Sequence, residues 1–523
     1  MSFPSINSKN SRDELIKNIN YYFSKERETL QSSYRLDLKK KSVDFFIKTK
    51  DGSYTLNSPD FDGKVETMHN SNGAISESFE KFVKPFKNSY FKNIKKDSLL
   101  KNKVISNDET FNKKLLKDKE SFNDEISNDK LKNLKYNEDI AILDICSGIG
   151  YNTAAIIEDF LENFDKTGKE VPRLSVDMVE ISVETLAAGI LTSSPIKGHE
   201  IVKKAIESKL INASYLALEL EKTNIPPNIA ISIYCEDARE TIKKLEDNSY
   251  DVIFLDPYSP AMAPELCTVE FFRELKRVIK NDGIIATYTL AAGVRYAFIE
   301  AGFYIGEGPV FGRIGGGTIA SLNADNINKD ISKNDEKTIA LSDAGIPFRD
   351  ENLDLKSFEI LSKRKIERKN ARHVYKLSSA VQTPIFLGKE IEDKKLKRRI
   401  IRNLNKVNIS DLKSEEACYI ISPQYKYLNS YSSKYKFKNK SKNRFENKLT
   451  NKNNPENRSE NKLKNKNKSK YKFKSYYKEF IKFNLKINLK SNFKQNLNYN
   501  YKTNSKDRII EMEKRLKSIN NYQ

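Results

Sequence analysis

The chain has 523 residues, with 93 Lys and Arg against 71 Asp and Glu, a formal net charge of +22. Apolar content of 38% and charged content of 31% exclude one close-packed globule from end to end, and no apolar run of the roughly 18–20 residues needed to span a bilayer is present. The charge is localised: residues 424–523 hold 28 basic and 7 acidic residues, leaving 65 against 64 in the first 423, so the positive field belongs to the tail.

Residues 1–45 read as a helical segment, with Ser11-Arg12-Asp13-Glu14 as a start and Leu15, Ile16, Ile19, Tyr22 and Phe23 as one apolar face. Residues 46–87 form a second segment. There Asp51-Gly52 separates Phe45-Phe46-Ile47 from Tyr54-Thr55-Leu56, a hairpin pattern, and ETMHNSNGAISES concentrates Glu66, His69, Ser71, Gly73 and Glu77 in a loop leading to a helix. Residues 88–138 are rich in Lys, Asn, Ser and Asp without periodicity and read as an exposed, partly disordered insertion.

Order returns at 140–150, IAILDICSGIG, where an apolar strand carries Asp144 into a glycine turn (Ser147, Gly148, Gly150) followed by a helical run over 151–163. Further strands are expected at LSVDMVE, IAISIYC, YDVIFLD and GIIATYT, beginning at residues 174, 229, 250 and 283. Helical runs lie between them over 183–191, 200–222, 238–245, 265–279 and 292–301. Strands alternating with helices predict an α/β fold, a doubly wound, mostly parallel Rossmann-like sheet over 139–323, with ligands above the C-terminal strand ends. Residues 324–423 read as a partly helical extension and 424–523 as a disordered basic tail.

The glycine turn departs from a dinucleotide loop in two ways. Thr153 stands where the third glycine belongs, and Asp144 precedes the glycines, where a pyrophosphate would be repelled. A zwitterionic amino-acid moiety fits better. S-adenosyl-L-methionine carries an ammonium, a sulfonium and a carboxylate, so an acid near the loop can hold the cationic groups while backbone N–H groups take the carboxylate. A strand–turn–helix corner with a capping acid is the plainer alternative for this motif alone.

Acids recur at Glu180, Asp237 and Asp256, at or just after successive strand ends. Glu180 is placed to accept from ribose hydroxyls and Asp237 from an adenine amino group, with Ala238 giving a backbone contact. Asp256 lies where a transferred group would be. Four isolated cysteines and three histidines offer no zinc-type spacing. No metal is expected, and the composition reads as that of a soluble cytoplasmic protein.

Through LDICSGIG, DMVEIS, CEDARE and DVIFLDPYSP the chain resembles class I S-adenosylmethionine-dependent methyltransferases. More narrowly it resembles the MnmC-like methyltransferases of tRNA 5-methylaminomethyl-2-thiouridine biosynthesis. The narrower likeness rests on TKDGSYTLNSPDF with ETMHNSNGAISES, on the stretch from DVIFLDPYSPAMAPELCTVEFFRELKRVIKNDG to YAFIEAGF, and on VFGRIGGGTIAS. It extends through LSDAGIPFRDENL.

The resemblance implies methyl transfer from S-adenosylmethionine to the primary amine of an aminomethyl uridine at the tRNA wobble position, giving the methylaminomethyl derivative. It puts Asp144, Gly148 and Gly150 at the methionine part, Glu180 at the ribose, Asp237 at the adenine and Asp256 at the acceptor amine. Tyr258 becomes a neighbouring wall, and Glu66 and His69 arrive from the hairpin that closes over the cofactor. A fused flavin oxidase half would bring its own dinucleotide loop. GRIGGG (312–317) follows no strand and opens no helix, so the oxidase step is expected to be absent.

The tail interleaves Lys and Asn with Tyr and Phe, a composition able to bind phosphates and stack on unpaired bases of a tRNA anticodon region, or else the product of compositional drift. Two other functions stay open. One is a polyamine aminopropyltransferase on the same fold, using decarboxylated cofactor. The other is a non-catalytic RNA-binding protein, disfavoured by acids that would cost RNA affinity.

Overall fold

A computed structural model describes residues 11–60, 65–105, 135–164, 171–312, 315–374, 394, 397–398, 401 and 504–521. They fall into two compact units, one from Met1–Ile331 and Pro347–Arg364, the other from Ser332–Ile346 and Lys365–Gln523.

In the first unit, β1 (Ile47–Lys48) and β2 (Tyr54–Thr55) form the expected hairpin, with Ile47 opposite Thr55. The central sheet follows in β3 (Ile140–Ile145), β4 (Leu174–Val179), β5 (Ile229–Tyr234), β6 (Tyr250–Leu255), β7 (Ile279–Thr287), β8 (Tyr304–Glu307) and β9 (Thr318–Ser321). The central strands β3 and β6 are buried on both faces, as required where helices cover both faces of a parallel sheet. Their order is β5-β4-β3-β6-β7-β9-β8. The first five are mutually parallel, and β9 runs antiparallel to both neighbours. The chain winds outward from β3 through β4 and β5, then crosses back to β6 on the other side. That reversal opens a crevice at the C-terminal ends of β3 and β6.

Two elements depart from expectation for electrostatic reasons. The helix expected to continue to 222 runs only over Lys197–Asn212, because the buried Glu207 carboxylate takes the N–H groups of Leu220 (2.6 Å) and Glu221 (3.0 Å) and holds that segment extended. β7 begins earlier than expected, at Ile279, across an irregularity where Lys280 pairs with Asp251 at 2.8 Å.

The 88–138 insertion is a correction at both ends. The helix Ala74–Ser78 continues through a wider turn, Phe79–Val83, into Lys84–Ile105, and Asn88, Ser89 and Phe91 are buried. At the far end Tyr136 is fully buried, stacks on Phe91 at 5.3 Å between centroids, and donates to Asp159 (2.5 Å), which also pairs with Lys87 (2.7 Å). Frequent Lys and Asn hide this aromatic face from a periodicity argument. Residues 106–134 lie outside the described residues.

The N-terminal helix Ser11–Thr29 buries Leu15, Ile19 and Phe23. The next helix, Ser33–Lys41, carries Arg35, 6% exposed, which pairs with Glu26 and Glu207 at 2.5 Å each and donates to the Leu218 carbonyl at 2.6 Å. Both carboxylates are fully buried.

In the second unit, the helix Lys333–Leu341 presents buried Glu336 to Arg508 (2.6 Å) and Ser505 (2.8 Å) of the helix Ser505–Asn521. This stretch was expected to be disordered. One buried ion pair and the apolar Ile509 and Met512 order it, whereas a count of Lys and Asn over the tail averages that pattern away. The rest of the tail, 424–503 and 522–523, lies outside the described residues.

Arg35→Ala takes the guanidinium from two buried carboxylates, leaving Glu26 with backbone N–H donors and Glu207 with backbone N–H donors and Lys204 at 3.8 Å, so unfolding free energy is expected to fall by about 3 kcal/mol. Urea denaturation followed by circular dichroism checks this, and an unchanged midpoint would show that the triad does not fasten the N-terminal helices.

Candidate active site

The crevice is a cavity of about 970 Å³, large enough for a nucleoside cofactor beside an acceptor. The ends of β3, β4, β5 and β6 form its floor. The start of the N-terminal helix (Arg12, Asp13, Ile16) and the stretch Glu66–His69 form part of the wall.

Its centre is the turn after β3. Cys146 (φ 63°), Gly148 (φ 57°) and Gly150 (φ 89°) all take the left-handed conformation. A Cβ on Gly150 would stand 2.5 Å from Val202 Cγ1, so that position requires glycine. Cys146 and Ser147 donate their N–H groups to the Val179 carbonyl (2.9 and 3.1 Å), Gly150 to Ser147 (2.8 Å) and Gly148 to Glu180 Oε2 (3.0 Å). Glu180, 9% exposed, also accepts from the Ser182 N–H at 3.0 Å. The acid at the end of β4 therefore fixes the glycine turn of β3. The Ser147 hydroxyl, buried on the cavity wall, has no protein partner among the described residues.

Two of the expected contacts move out of the cavity. Asp144 lies inside β3, fully buried, accepting from Thr153 Oγ1 at 2.6 Å, and neither it nor Gly150 lines the wall. The strand runs one residue further than expected, so the acid sits beneath the turn. Burial pushes its carboxyl up to about 7.

Asp237 lines the cavity but is also the N-cap of the helix Ala238–Lys244 and the partner of Arg239 at 2.8 Å. Burial raises its pKa, but the Arg239 hydrogen bonds and charge outweigh this and hold it below the usual range. Arg239 in turn reaches buried Asp350 at 3.1 Å. Ala238 also reaches the wall.

Asp256 follows β6, half-buried, and accepts from Asn152 Nδ2 at 3.0 Å. Asn152 Oδ1 contacts Ser78 Oγ at 2.7 Å, which sets the amide with its N–H toward the carboxylate. Burial pushes Asp256 up to about 6, with nearby His69 opposing the rise and Glu77 adding to it. His69 is 6% exposed, stands 3.9 Å from Glu77 and reaches the cavity beside Asp256. Glu66 accepts from the Ser259 N–H at 2.9 Å and pairs with its hydroxyl, clamping the loop that carries Tyr258. Burial raises the Tyr258 phenol, and Arg12 donates to its oxygen at 3.3 Å.

Sequence reasoning missed Arg12 and Asn152. Arg12 is 246 positions from Tyr258 and read only as part of a helix start. Asn152 was a polar residue in the apolar helix Tyr151–Asn163, and that oddity was its only signal. Among the described residues, no helix is long and apolar enough to cross a membrane, and no group of three or more His, Cys, Asp or Glu side chains could hold a metal ion.

The wall is strongly acidic, with Glu66, Glu180, Asp237, Asp256 and Glu265 among its residues. Burial raises Glu180 and Glu265 as well. Several desolvated carboxyls in one cavity favour a cationic occupant, and the sulfonium and ammonium of S-adenosylmethionine match that need.

Residues 199–323 match the family model described as S-adenosyl-L-methionine-dependent methyltransferase. A curated relative, the uncharacterized protein MJ0670 of Methanocaldococcus jannaschii, is 28% identical over 410 residues, 78% of this chain and 93% of its own length. The tRNA 5-methylaminomethyl-2-thiouridine biosynthesis bifunctional protein MnmC of Ralstonia nicotianae is 33% identical over 94 residues, 18% of this chain and 14% of that protein. The crystal structure of MnmC2 from Aquifex aeolicus aligns with 69% of this chain and 99% of its own, at 22% identity and a TM-score of 0.44.

Because burial raises Asp256 in the folded state, its ionisation works against folding. The stability this group contributes is full below about pH 4 and is lost as pH rises through about 6. Asp256→Asn is therefore expected to be more stable than the parent at pH 8, by about 3 kcal/mol, and equal to it at pH 4. Thermal unfolding at the two pH values checks this, and the reverse ordering at pH 8 would contradict it. With Asp237 and Asp256 inside the matched segment and Asp144 and Glu180 on or just after the strands before it, the chain carries an S-adenosyl-L-methionine-dependent methyltransferase segment and is similar there to the MnmC proteins.

Proposed function

We propose that the enzyme methylates the primary amine of an aminomethyl uridine at the wobble position of tRNA, converting 5-aminomethyl-2-thiouridine to 5-methylaminomethyl-2-thiouridine. The observation that carries this reading is Asp256, a carboxylate held by Asn152 in an acid-lined cavity at the β3–β6 crevice. The activity printed in the names of the MnmC relatives supports it.

When bound, the cofactor supplies an electrophilic methyl group. The residues of the chain do the rest. An alkylammonium has a reference pKa near 10 and no lone pair, so only the neutral amine can react. Ionised Asp256 accepts one amine N–H, aims the lone pair and stabilises the positive charge that develops on nitrogen. Asn152 keeps that carboxylate in one orientation. Tyr258 walls the acceptor side, and Glu66 keeps its loop closed. His69 limits the rise in the Asp256 pKa, while Glu77 adds to it. The same acids attract an ammonium and oppose its deprotonation, so orientation and electrostatics outweigh general-base catalysis.

In this reading Ser147 and Gly148 face the methionine moiety, Glu180 the ribose, and Asp237 with Ala238 the adenine, while Asp144 and Gly150 act from beneath the turn. The basic tail adds nonspecific affinity for the tRNA backbone, which weakens with salt. The enzyme would act in the cytoplasm, where its tRNA substrate is found.

Incubation with S-adenosylmethionine and tRNA bearing 5-aminomethyl-2-thiouridine, followed by mass spectrometry of nucleosides, is expected to give the methylaminomethyl product. Asp256→Ala is expected to lower the rate about 100-fold or more. The parent rate should rise as pH passes through about 6 and keep rising toward the amine pKa. Turnover of putrescine with decarboxylated cofactor, and none with tRNA, would replace this reading with aminopropyl transfer.

A further inference from the structure

The acid-lined cavity leaves the cofactor's own carboxylate without an evident partner. A glycine turn normally meets such a group with its N–H donors. Here those of Cys146, Ser147, Gly148 and Gly150 are all committed, to Val179, Val179, Glu180 and Ser147. Neighbouring carboxylates would repel another, and a carboxylate taken out of water needs a cation or several donors.

Arg12 meets that need. Its Nη1 donates to the Asn57 carbonyl (3.0 Å) and to Tyr258 (3.3 Å), and its Nη2 to Thr185 Oγ1 (3.0 Å). All three acceptors are uncharged, and no ion pair to a carboxylate engages Arg12 among the described residues. A guanidinium has five N–H donors, so two remain beyond these bonds. The side chain is half-buried on the cavity wall, and its charge acts on both Glu180, which holds Gly148, and Tyr258, which neighbours Asp256. The three bonds fix the group in place, so little side-chain entropy is lost when a ligand arrives.

We infer that Arg12 binds the α-carboxylate of S-adenosyl-L-methionine, and that the N-terminal helix completes the cofactor site and selects the carboxylated cofactor over its decarboxylated form. The inference rests on the methyltransferase reading and adds a specificity element to it. An enzyme built for decarboxylated cofactor has no use for a cation at this position, so the same residue separates methyl transfer from aminopropyl transfer.

The test measures dissociation constants by isothermal titration calorimetry for S-adenosylmethionine, S-adenosylhomocysteine, decarboxylated S-adenosylmethionine and 5′-methylthioadenosine, on the full chain and on Arg12→Ala and Arg12→Lys. The parent is expected to prefer S-adenosylmethionine over the decarboxylated form by about 10- to 100-fold, the range of a charge-assisted hydrogen-bonded contact. Arg12→Ala is expected to lose that preference and to bind S-adenosylhomocysteine about 10- to 100-fold more weakly, with 5′-methylthioadenosine unchanged. Arg12→Lys should recover part of it.

Equal weakening of all four ligands would show that Arg12 only supports Tyr258 and Thr185, and would overturn the inference. So would a loss confined to tRNA binding, which would place a backbone phosphate on Arg12. Failure of the parent to bind S-adenosylmethionine would instead sink the methyltransferase reading. Tight binding with discrimination untouched by Arg12→Ala would sink this inference alone.

Discussion

Carboxylates taken out of water at neighbouring strand ends are the constraint on which this fold turns. Asp144, Glu180 and Asp256 stand at the C-terminal ends of β3, β4 and β6, and burial raises each. Each is then provided with donors by a neighbouring element: Thr153 for Asp144, the Gly148 and Ser182 N–H groups for Glu180, and Asn152 for Asp256. These bonds join the strand ends to the turn and to the first turn of the following helix. The cavity's shape and its charge thus have one origin, and its acids favour a cationic ligand.

The covering layer is assembled with the same chemistry. Asp51, held down to about 2 because hydrogen bonds from Ser53, Ser76 and Thr49 outweigh its burial, ties the β1–β2 turn to the loop entering the helix at Ala74. A Cβ on Gly73 would stand 2.2 Å from its carboxylate, which is why a glycine ends that loop. Arg35 fastens the two N-terminal helices through Glu26 and Glu207, and Glu66 closes on Ser259. Few of these contacts are apolar. Buried charge pairs add little net stability over apolar packing, but each accepts only one geometry, which is what a cavity cover must have.

Charge is unevenly distributed along the chain. The cavity is acidic, suited to cationic groups, while the first 423 residues are almost neutral overall and the surplus of positive charge is confined to the tail.

Apolar strand runs alternating with helical runs were enough to specify the parallel sheet, since strands buried on both faces leave a plain signal. The acids at Glu180, Asp237 and Asp256 and the turn at Ser147-Gly148 were legible because turn chemistry is local. So was the hairpin at Asp51-Gly52. What the sequence left hidden depends on long-range pairing. Arg12 meets Tyr258 across 246 positions and Arg35 meets Glu207 across 172, and no local pattern encodes such a partner. The ends of the Lys- and Asn-rich insertion looked unstructured until Phe91 and Tyr136 came together. The sequence by itself determined which side chains could serve. Tertiary structure alone decided that Asp144 faces Thr153 beneath the turn while Asp256 faces the cavity, because a single residue of strand register sends a side chain to the other face.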